Sequence, residues 1–200
     1  METIRGKVSR ELHSNELAEQ IAGYQDILLD LGTGDGRFVR TYAQQHAAWF
    51  AIGIDSCREN LHEQSRARVP NALFIIAGAP ALPPELNGLA SRITVNFPWG
   101  SLLRGLLADD PAFLDGLQAI SHDVASIEIR VNAGAMIEAG TSLAAGAAQI
   151  SNMLAASGWQ VNAPAQLSSA ALRSFPSTWA RRLAFGRDPR ALLISGALRR

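Results

Sequence analysis

The sequence predicts an α/β fold in which a mostly parallel sheet of seven strands carries helices on both faces, preceded by a short N-terminal hairpin. Short apolar runs typical of buried parallel strands alternate with longer helix-compatible stretches along the chain. The first of these runs, residues 27–31, passes directly into a loop with glycines at alternate positions. Sheets built in this way bind ligands beyond the carboxyl ends of their strands.

The predicted elements follow one another regularly. A hairpin over 3–12 comes first, and the last strand, 191–198, is expected to close the sheet at its edge. The predicted strands are 27–31, 49–54, 72–77, 92–97, 124–131, a short strand opening at Gly158, and 191–198; the predicted helices are 15–22, the stretch from the glycine loop to 46, 58–68, 101–107, 111–120 and 142–156.

Length and composition favour a single domain. With 200 residues, 48% of them hydrophobic, the chain can bury one core and is too short for two ordinary domains, so we expect a single domain over 1–200 and a monomer. The N-terminus is charged where a signal peptide would be apolar, which predicts a cytoplasmic protein without a membrane span. One cysteine and four scattered histidines predict no metal site.

The charges are balanced overall but not along the chain. Eighteen basic and eighteen acidic residues lack the basic excess expected of a strong nucleic-acid binder. From residue 173 onward, however, seven arginines face a single acid, Asp188. This tail either contacts phosphate or reflects an arginine-rich genome, and the sequence leaves both readings open.

The glycine loop and two acids predict a nucleoside cofactor. Asp30 ends the first strand before Gly32 and Gly34, and Asp55 ends the second strand, where a carboxylate can accept both ribose hydroxyls of an adenosine. The spacing is Gly-x-Gly-x-Gly with acids at 30 and 35, which repel a pyrophosphate and suit a cationic amino-acid ligand. S-adenosylmethionine fits this pattern, with Ala79 beside its adenine; the alternative is a merely tight strand-to-helix turn.

Two tryptophans indicate where the group that receives the methyl would bind. Trp99 stands between proline and glycine after the strand that ends at Asn96, and Trp179 lies in an arginine-rich aromatic segment over 175–190. A flat indole can stack on a nucleic-acid base, and guanidinium groups pair with phosphates. The alternatives are a core aromatic for Trp99 and a solvated basic turn for 175–190.

At these residues the chain resembles the 16S ribosomal RNA adenine-N1 methyltransferases that confer kanamycin and apramycin resistance. Three blocks carry the resemblance: DLGTGDGR at 30–37, FPWGSLLRG at 97–105 and STWARRLAFGR at 177–187. The first is general to methyltransferases, whereas the second and third together are specific to this family. The resemblance covers essentially the whole chain and implies a Rossmann-like class I fold dependent on S-adenosylmethionine.

The resemblance also implies roles for individual residues. Trp99 and Trp179 would sandwich the flipped-out decoding-site adenine, and the 30S subunit would be the partner. Adenine N1 carries a free lone pair, so the transfer needs alignment more than a catalytic base. The cofactor residues would be Asp30, Gly32, Gly34, Asp55, Ala79, Asn96, Ser101 and Ser177, and the RNA contacts Arg182, Arg187, Arg66 and Arg68.

The chain departs from the family pattern on its RNA side. The lysine-rich linker between the second and third strands is replaced by a shorter stretch, 64–71, whose only cations are Arg66 and Arg68. Proline stands at 80 and 189 in place of an acid and of an arginine, and the segment 132–142 is short and rich in glycine and alanine. We therefore expect cofactor binding to be intact and ribosome docking to be weaker.

Two alternative functions remain on the sequence alone. One is a methyltransferase that acts on another RNA base or a small molecule, which the neutral net charge favours. The other is a non-catalytic, cofactor-dependent RNA-binding protein. The two tryptophans argue against the second, because a binding module does not need two stacking faces.

Overall fold

The computed structural model of the chain describes residues 1–186 and 188–199, and a ten-stranded sheet forms its centre. The strands are β1 (Glu2–Arg5), β2 (Val8–Glu11), β3 (Asp26–Leu31), β4 (Trp49–Asp55), β5 (Ala72–Ile76), β6 (Ala90–Asn96), β7 (Ser121–Asn132), β8 (Gln160–Val161), β9 (Ala165–Gln166) and β10 (Ala191–Arg199). Their order is β2-β1-β5-β4-β3-β6-β7-β10-β8, and β9 also pairs with β10. The five strands from β5 to β7 are mutually parallel, and the others pair antiparallel.

Helices cover both faces of the sheet because the strand side chains alternate. On β3, Leu29 belongs to a core cluster shared with α1, α4, α5 and α7, whereas Leu28 packs in a second cluster with Phe38 and Val39 of α2. The helices are α1 (Ser14–Ile21), α2 (Arg37–Gln45), α3 (Arg58–Leu61), α4 (Gly100–Leu107), α5 (Pro111–Ile120), α6 (Ala133–Glu138), α7 (Leu143–Ala156), α8 (Ser169–Ser174) and α9 (Thr178–Gly186).

The predicted strand count and edge need correction. The N-terminal hairpin joins the sheet through Thr3 and Ile75, the short strand predicted after Gly158 is present as β8, and β9 is an additional strand, so ten strands replace the predicted seven. The expectation that 191–198 forms an edge is wrong, because β10 pairs with β7 on one side and with β8 and β9 on the other. The two residues of β9, Ala165 and Gln166, form no apolar run that a sequence pattern can reveal.

The helix predicted over 58–68 is interrupted by long-range hydrogen bonds. After α3 ends at Leu61, a 3-10 turn occupies Gln64–Arg66. The buried Gln64 side chain accepts a hydrogen bond from Arg40 of α2 at 3.0 Å. Ser65 Oγ accepts one from the Gly6 N–H of the hairpin at 2.8 Å. These partners are distant in the chain, so no local pattern indicates the break.

Three helices, α6, α8 and α9, were not predicted. For the last two a signal was present, because Leu172, Phe175, Trp179 and Leu183 recur at spacings of three and four. Pro176 divides this pattern into two short helices that pack on each other. Together with Phe97 and Ala191 they form a third apolar cluster, which places Trp179 against the sheet.

The sheet topology fixes where a ligand can bind. The chain runs outward from β3 through β4 to β5 and then returns to β6 on the other side of β3. A crevice opens at the carboxyl ends of strands where the direction reverses in this way. Within the described residues, no helix combines the length and apolar composition needed to cross a membrane.

A substitution at Gly36, which precedes α2, tests how strongly backbone conformation and packing constrain this turn. Its φ is +77°, and an added Cβ would lie 2.5 Å from Cε1 of the buried Phe74 ring. We expect Gly36→Ala to lower the free energy of unfolding by about 2–4 kcal/mol, from backbone strain and overpacking together. Urea unfolding measures the change.

Gly23→Ala is the matched control, because no atom lies within 4 Å of its added Cβ. We expect that variant to stay within about 0.5 kcal/mol of the parent. Equal stability of the two variants would show that the turn before α2 is not constrained.

Candidate active site

A cavity of about 990 Å³ lies at the carboxyl ends of β3, β4, β5 and β6. Parallel strands place the residues that follow them at one edge of the sheet. All ten predicted catalytic and cofactor residues line the cavity, together with one predicted RNA contact: Asp30, Gly32, Gly34, Asp55, Ala79, Asn96, Trp99, Ser101, Ser177, Trp179 and Arg182.

Asp30 lies at the floor of the cavity and is only 1% exposed. Its Oδ1 accepts hydrogen bonds from Thr94 Oγ1 at 2.7 Å and from Asn96 Nδ2 at 2.8 Å, both on the adjacent strand β6. Arg130 donates to Asn96 Oδ1 at 3.0 Å and also bonds Glu128 at 2.6 Å. The Asn96 amide is therefore held from both ends, and its orientation is fixed.

Burial is the main influence on the charge of Asp30. Removal from water raises the pKa of this carboxyl to about 6, while the hydrogen bonds from Thr94 and Asn96 and the positive charge of Arg130 act in the opposite direction. At neutral pH the group is therefore mostly ionised. A buried carboxylate of this kind strongly favours a cationic ligand group beside it.

Asp55 joins the glycine loop to the end of β4. Its Oδ2 accepts a hydrogen bond from the Gly34 N–H at 2.8 Å, and its Oδ1 accepts one from the Cys57 N–H at 2.9 Å. The amide of Asn60 approaches Oδ1 at 3.4 Å. A carboxylate has about four acceptor positions, so Asp55 retains capacity for ligand hydroxyl groups.

The glycine loop needs its glycines because of its backbone conformation and its close contact with α4. Gly32 and Gly34 have φ values of +69° and +59°, a region that other L-residues rarely adopt. A Cβ on Gly32 would lie 2.4 Å from Leu102 of α4. The loop and α4 therefore pack closely together, and the N–H groups of Gly32 and Thr33 donate to the Ile54 carbonyl at 2.8 and 3.0 Å.

The loop after β6 is strained where it leads into Trp99. Phe97 has a φ of 54°, which is unusual for an aromatic residue, and its N–H donates to the Arg130 carbonyl at 2.7 Å. Its side chain is buried in the cluster under α8 and α9. This conformation holds the chain turned toward the cavity, and Trp99 remains 38% exposed.

Trp99 and Trp179 contact each other directly. Their ring centroids are 5.4 Å apart and the planes cross at 66°, an edge-to-face arrangement. A base stacked between them would need parallel rings about 7 Å apart, since each stacked contact takes about 3.5 Å. The tryptophans are thus brought together as predicted but are not spaced as a sandwich.

Thr178, Phe175 and Arg130, which the sequence analysis did not identify as site residues, hold the segment that carries Trp179. Thr178 Oγ1 donates to Asp35 Oδ2, which ties α9 to the glycine loop. Phe175 stacks on Phe38 of α2 with centroids 5.1 Å apart, and the Arg130 guanidinium lies 4.7 Å from its ring centroid. Ser177, which the sequence analysis did predict as a site residue, caps the start of α9, because its Oγ accepts a hydrogen bond from the Ala180 N–H at 3.1 Å.

The predicted RNA contacts fall in two places. Arg182 is exposed beside the cavity, with its guanidinium 5.9 Å from the Trp179 ring centroid. Arg66 and Arg68 are exposed on the linker between β4 and β5, away from this cavity. Arg187 lies outside the described residues.

Comparison with known proteins decides the family. The family model described as NpmA, 16S rRNA (adenine(1408)-N(1))-methyltransferase, matches residues 2–198. The chain belongs to this family. The family resemblance inferred from the sequence is thereby confirmed.

Curated relatives and solved structures agree with this family assignment. A 16S rRNA (adenine(1408)-N(1))-methyltransferase of Escherichia coli is 31% identical and matches over 96% of each chain, and one of Streptoalloteichus hindustanus is 30% identical over 94% of each. The structure of the 16S rRNA methyltransferase KamB superposes with a TM-score of 0.89, at 28% identity, covering both chains completely. The predicted Rossmann-like class I methyltransferase fold is therefore confirmed.

A further structure carries the cosubstrate. The enzyme of the same name from Catenulisporales acidiphilia, solved as a tryptophan-to-alanine mutant with SAM, superposes at a TM-score of 0.88 and 27% identity over 100% of this chain and 97% of its own. S-adenosylmethionine is the cofactor of the family. The site here fits it, because a 990 Å³ cavity with a buried carboxylate and a second acid can take a cationic nucleoside.

The raised pKa of Asp30 predicts a pH-dependent stability. From about pH 4 to about pH 6 the folded chain keeps a proton that the unfolded chain releases, so the stability that this group contributes at low pH is lost as the pH rises. Between about pH 4 and 7 the parent should lose on the order of 2–3 kcal/mol more than Asp30→Asn, which keeps the Oδ1 acceptor. Urea unfolding of both proteins without cofactor measures this difference, and parallel pH profiles would contradict it.

Proposed function

We propose that this chain transfers the methyl group of S-adenosylmethionine to N1 of the decoding-site adenine of 16S rRNA in the 30S subunit. Such a modification would confer resistance to aminoglycosides of the kanamycin and apramycin type. The observation that carries the proposal is the pairing of Trp99 and Trp179 beside a cavity whose floor is the buried Asp30. Family membership over residues 2–198 supports the choice of base.

The cofactor half of the site follows from the charges. Asp30, with Gly32 beside it, would hold the amino-acid end, and Asp55 would accept the ribose hydroxyls. Ala79 would border the adenine, and Asn96 and Ser101 would lie near the transferable methyl group. When bound, the cofactor supplies an electrophilic methyl on a sulfonium, and the carboxylates favour its positive charge.

The acceptor half depends on separating the two indoles. Trp99 lies on the loop after β6 and Trp179 on α9, so their spacing can change without breaking a strand pair. A flipped adenine would replace the ring-to-ring contact with two stacked contacts, each worth roughly 1–3 kcal/mol. The strained Phe97 and the Phe175 stack hold the two elements from which these rings extend.

Alignment is the main catalytic contribution of these residues. Adenine N1 carries a lone pair in the ring plane, and two stacking faces fix that plane. No group has to remove a proton before the lone pair attacks, so the residues need only hold the base and exclude water. Removing the base from its helix costs a few kcal/mol, which the stacking contacts offset.

The side chains around the proposed acceptor site are rich in positive charge. Arg182 lies against Trp179, and a neighbouring cavity of about 460 Å³ is lined by Arg37, Arg181 and Arg182 with the exposed ring of Phe185. Guanidinium groups beside an aromatic ring suit phosphates that flank an unstacked base. This surface supports an RNA acceptor over a small molecule.

Trp179→Ala tests the acceptor assignment. We expect label transfer from S-adenosylmethionine to 30S subunits to fall roughly 10- to 100-fold, since one stacking face is lost. Primer extension on the parent reaction should stop at the decoding-site adenine. Trp179→Phe keeps an aromatic face and should restore part of the rate, and thermal unfolding checks that the apolar cluster around α9 is intact.

The outcomes separate the candidate functions. A primer-extension stop at another base, or label in a small molecule only, would assign a different acceptor. Cofactor binding without any transfer by the parent would indicate a non-catalytic RNA-binding protein. Full activity of Trp179→Ala would remove this side chain from the acceptor site.

Asp55→Asn tests the cofactor assignment. Its amide nitrogen cannot accept from a ribose hydroxyl and opposes the Gly34 N–H, so we expect the affinity for S-adenosylmethionine to fall roughly 10- to 100-fold. Isothermal titration calorimetry measures the dissociation constant. Asp26→Asn, at the opposite end of the same sheet, is the matched control and should bind like the parent. Equal affinities of both variants would place the ribose elsewhere.

A further inference from the structure

A second groove, of about 770 Å³, lies between the N-terminal hairpin and the linker that joins β4 to β5. Its lining includes five cations and no carboxylate, in a chain whose net charge is zero. We call it the hairpin groove and define it by these five residues. They are Arg5, Lys7, Arg10, Arg66 and Arg68.

The hairpin turn and the linker are locked to each other. The Gly6 N–H donates to the buried Ser65 Oγ at 2.8 Å. Gly6 has a φ of +60°, and a Cβ there would lie 3.1 Å from Cγ of Arg66, so the turn rests on the stem of that arginine. Arg40 holds the neighbouring Gln64 at 3.0 Å. The cations of the two segments are thus presented at a fixed spacing.

Most of these cations are exposed and have no ion-pair partner within the described residues. Arg5, Lys7, Arg66 and Arg68 are exposed, and none of them forms an ion pair with any residue that the structure describes. Arg10 differs, because it pairs with Glu16 at 2.8 Å.

One of the two acids of the hairpin is paired elsewhere. Glu2, on β1, pairs with Arg58 at 2.5 Å. Four of the five cations of the groove thus have no ion-pair partner among the residues that the structure describes, which is the pattern that attracts a polyanion.

The hairpin groove is remote from the cavity. β1 runs antiparallel to β5 with Thr3 opposite Ile75, so the hairpin turn lies toward the amino end of β5, whereas the cavity lies at its carboxyl end. Five strand residues separate these ends by roughly 16 Å. A target base in the cavity cannot also reach the hairpin groove, so the groove suits a different segment of the same RNA.

We propose that the hairpin groove binds the phosphate backbone of a second segment of 16S rRNA, with Arg5 and Lys7 of the hairpin acting beside Arg66 and Arg68 of the linker. The inference rests on the proposed function. It gives the hairpin a role in docking and offsets the shortness of the 64–71 linker. The contacts are electrostatic and independent of base sequence.

The test compares charge reversals at the two sides of the sheet. Lys7→Glu is matched with Arg199→Glu, which reverses an exposed charge near the amino end of the parallel strands but six strands away from β1. Affinity for purified 30S subunits is measured over roughly 0.05 to 0.3 M salt, together with methyl transfer.

We expect Lys7→Glu to weaken 30S binding roughly 3- to 10-fold, and Arg5→Gln/Lys7→Gln to flatten the slope of log affinity against log salt by about one unit per cation. The KM for 30S subunits should rise while kcat and the affinity for S-adenosylmethionine stay unchanged, because the cavity is untouched. Arg199→Glu should behave like the parent.

Each outcome decides one claim. If the parent binds and methylates 30S subunits but Lys7→Glu matches Arg199→Glu at every salt concentration, only the role of the hairpin groove is overturned. A fall in kcat or in thermal stability of Lys7→Glu without a change in KM would also overturn it, since it would indicate a structural effect. If the parent does not bind 30S subunits at all, the proposed function and the groove assignment fall together.

Discussion

The buried carboxylate of Asp30 is the interaction on which the site depends. Burial alone would make an ionised aspartate costly, so β6 supplies Thr94 and Asn96 to bond one of its oxygens. Asn96 is in turn held by Arg130, whose guanidinium also lies over Phe175. One chain of polar contacts therefore runs from the floor of the cavity to the segment that carries Trp179.

The sequence predicted the parts of this arrangement that local pattern encodes. The strand positions of Asp30 and Asp55 follow from apolar runs that end in an acid, and parallel strands bring such ends together. The parts that it did not predict depend on partners distant in the chain. Ser65 breaks a helix by accepting from Gly6, and Thr178 anchors α9 by donating to Asp35. Neither contact leaves a periodic signal.

The two surfaces proposed to contact RNA differ in how they were found. The arginines around Trp179 stand together in the sequence, so their interpretation needed no fold. The cations of the hairpin groove come from segments some sixty residues apart, and each segment alone is unremarkable in charge. Only the pairing of β1 with β5 brings them to one surface. A deficit of lysines in the linker therefore says little about the charge of the assembled surface.

The hydrogen bond from Thr178 to Asp35 joins the two halves of the cavity. Asp35 belongs to the loop at the cofactor cavity, and Thr178 begins the helix that carries Trp179. If the cofactor and the RNA favour the same position of α9, each raises the affinity for the other by the same factor. A single hydroxyl group is thus the point through which such coupling would pass between the cofactor loop and the helix that carries Trp179.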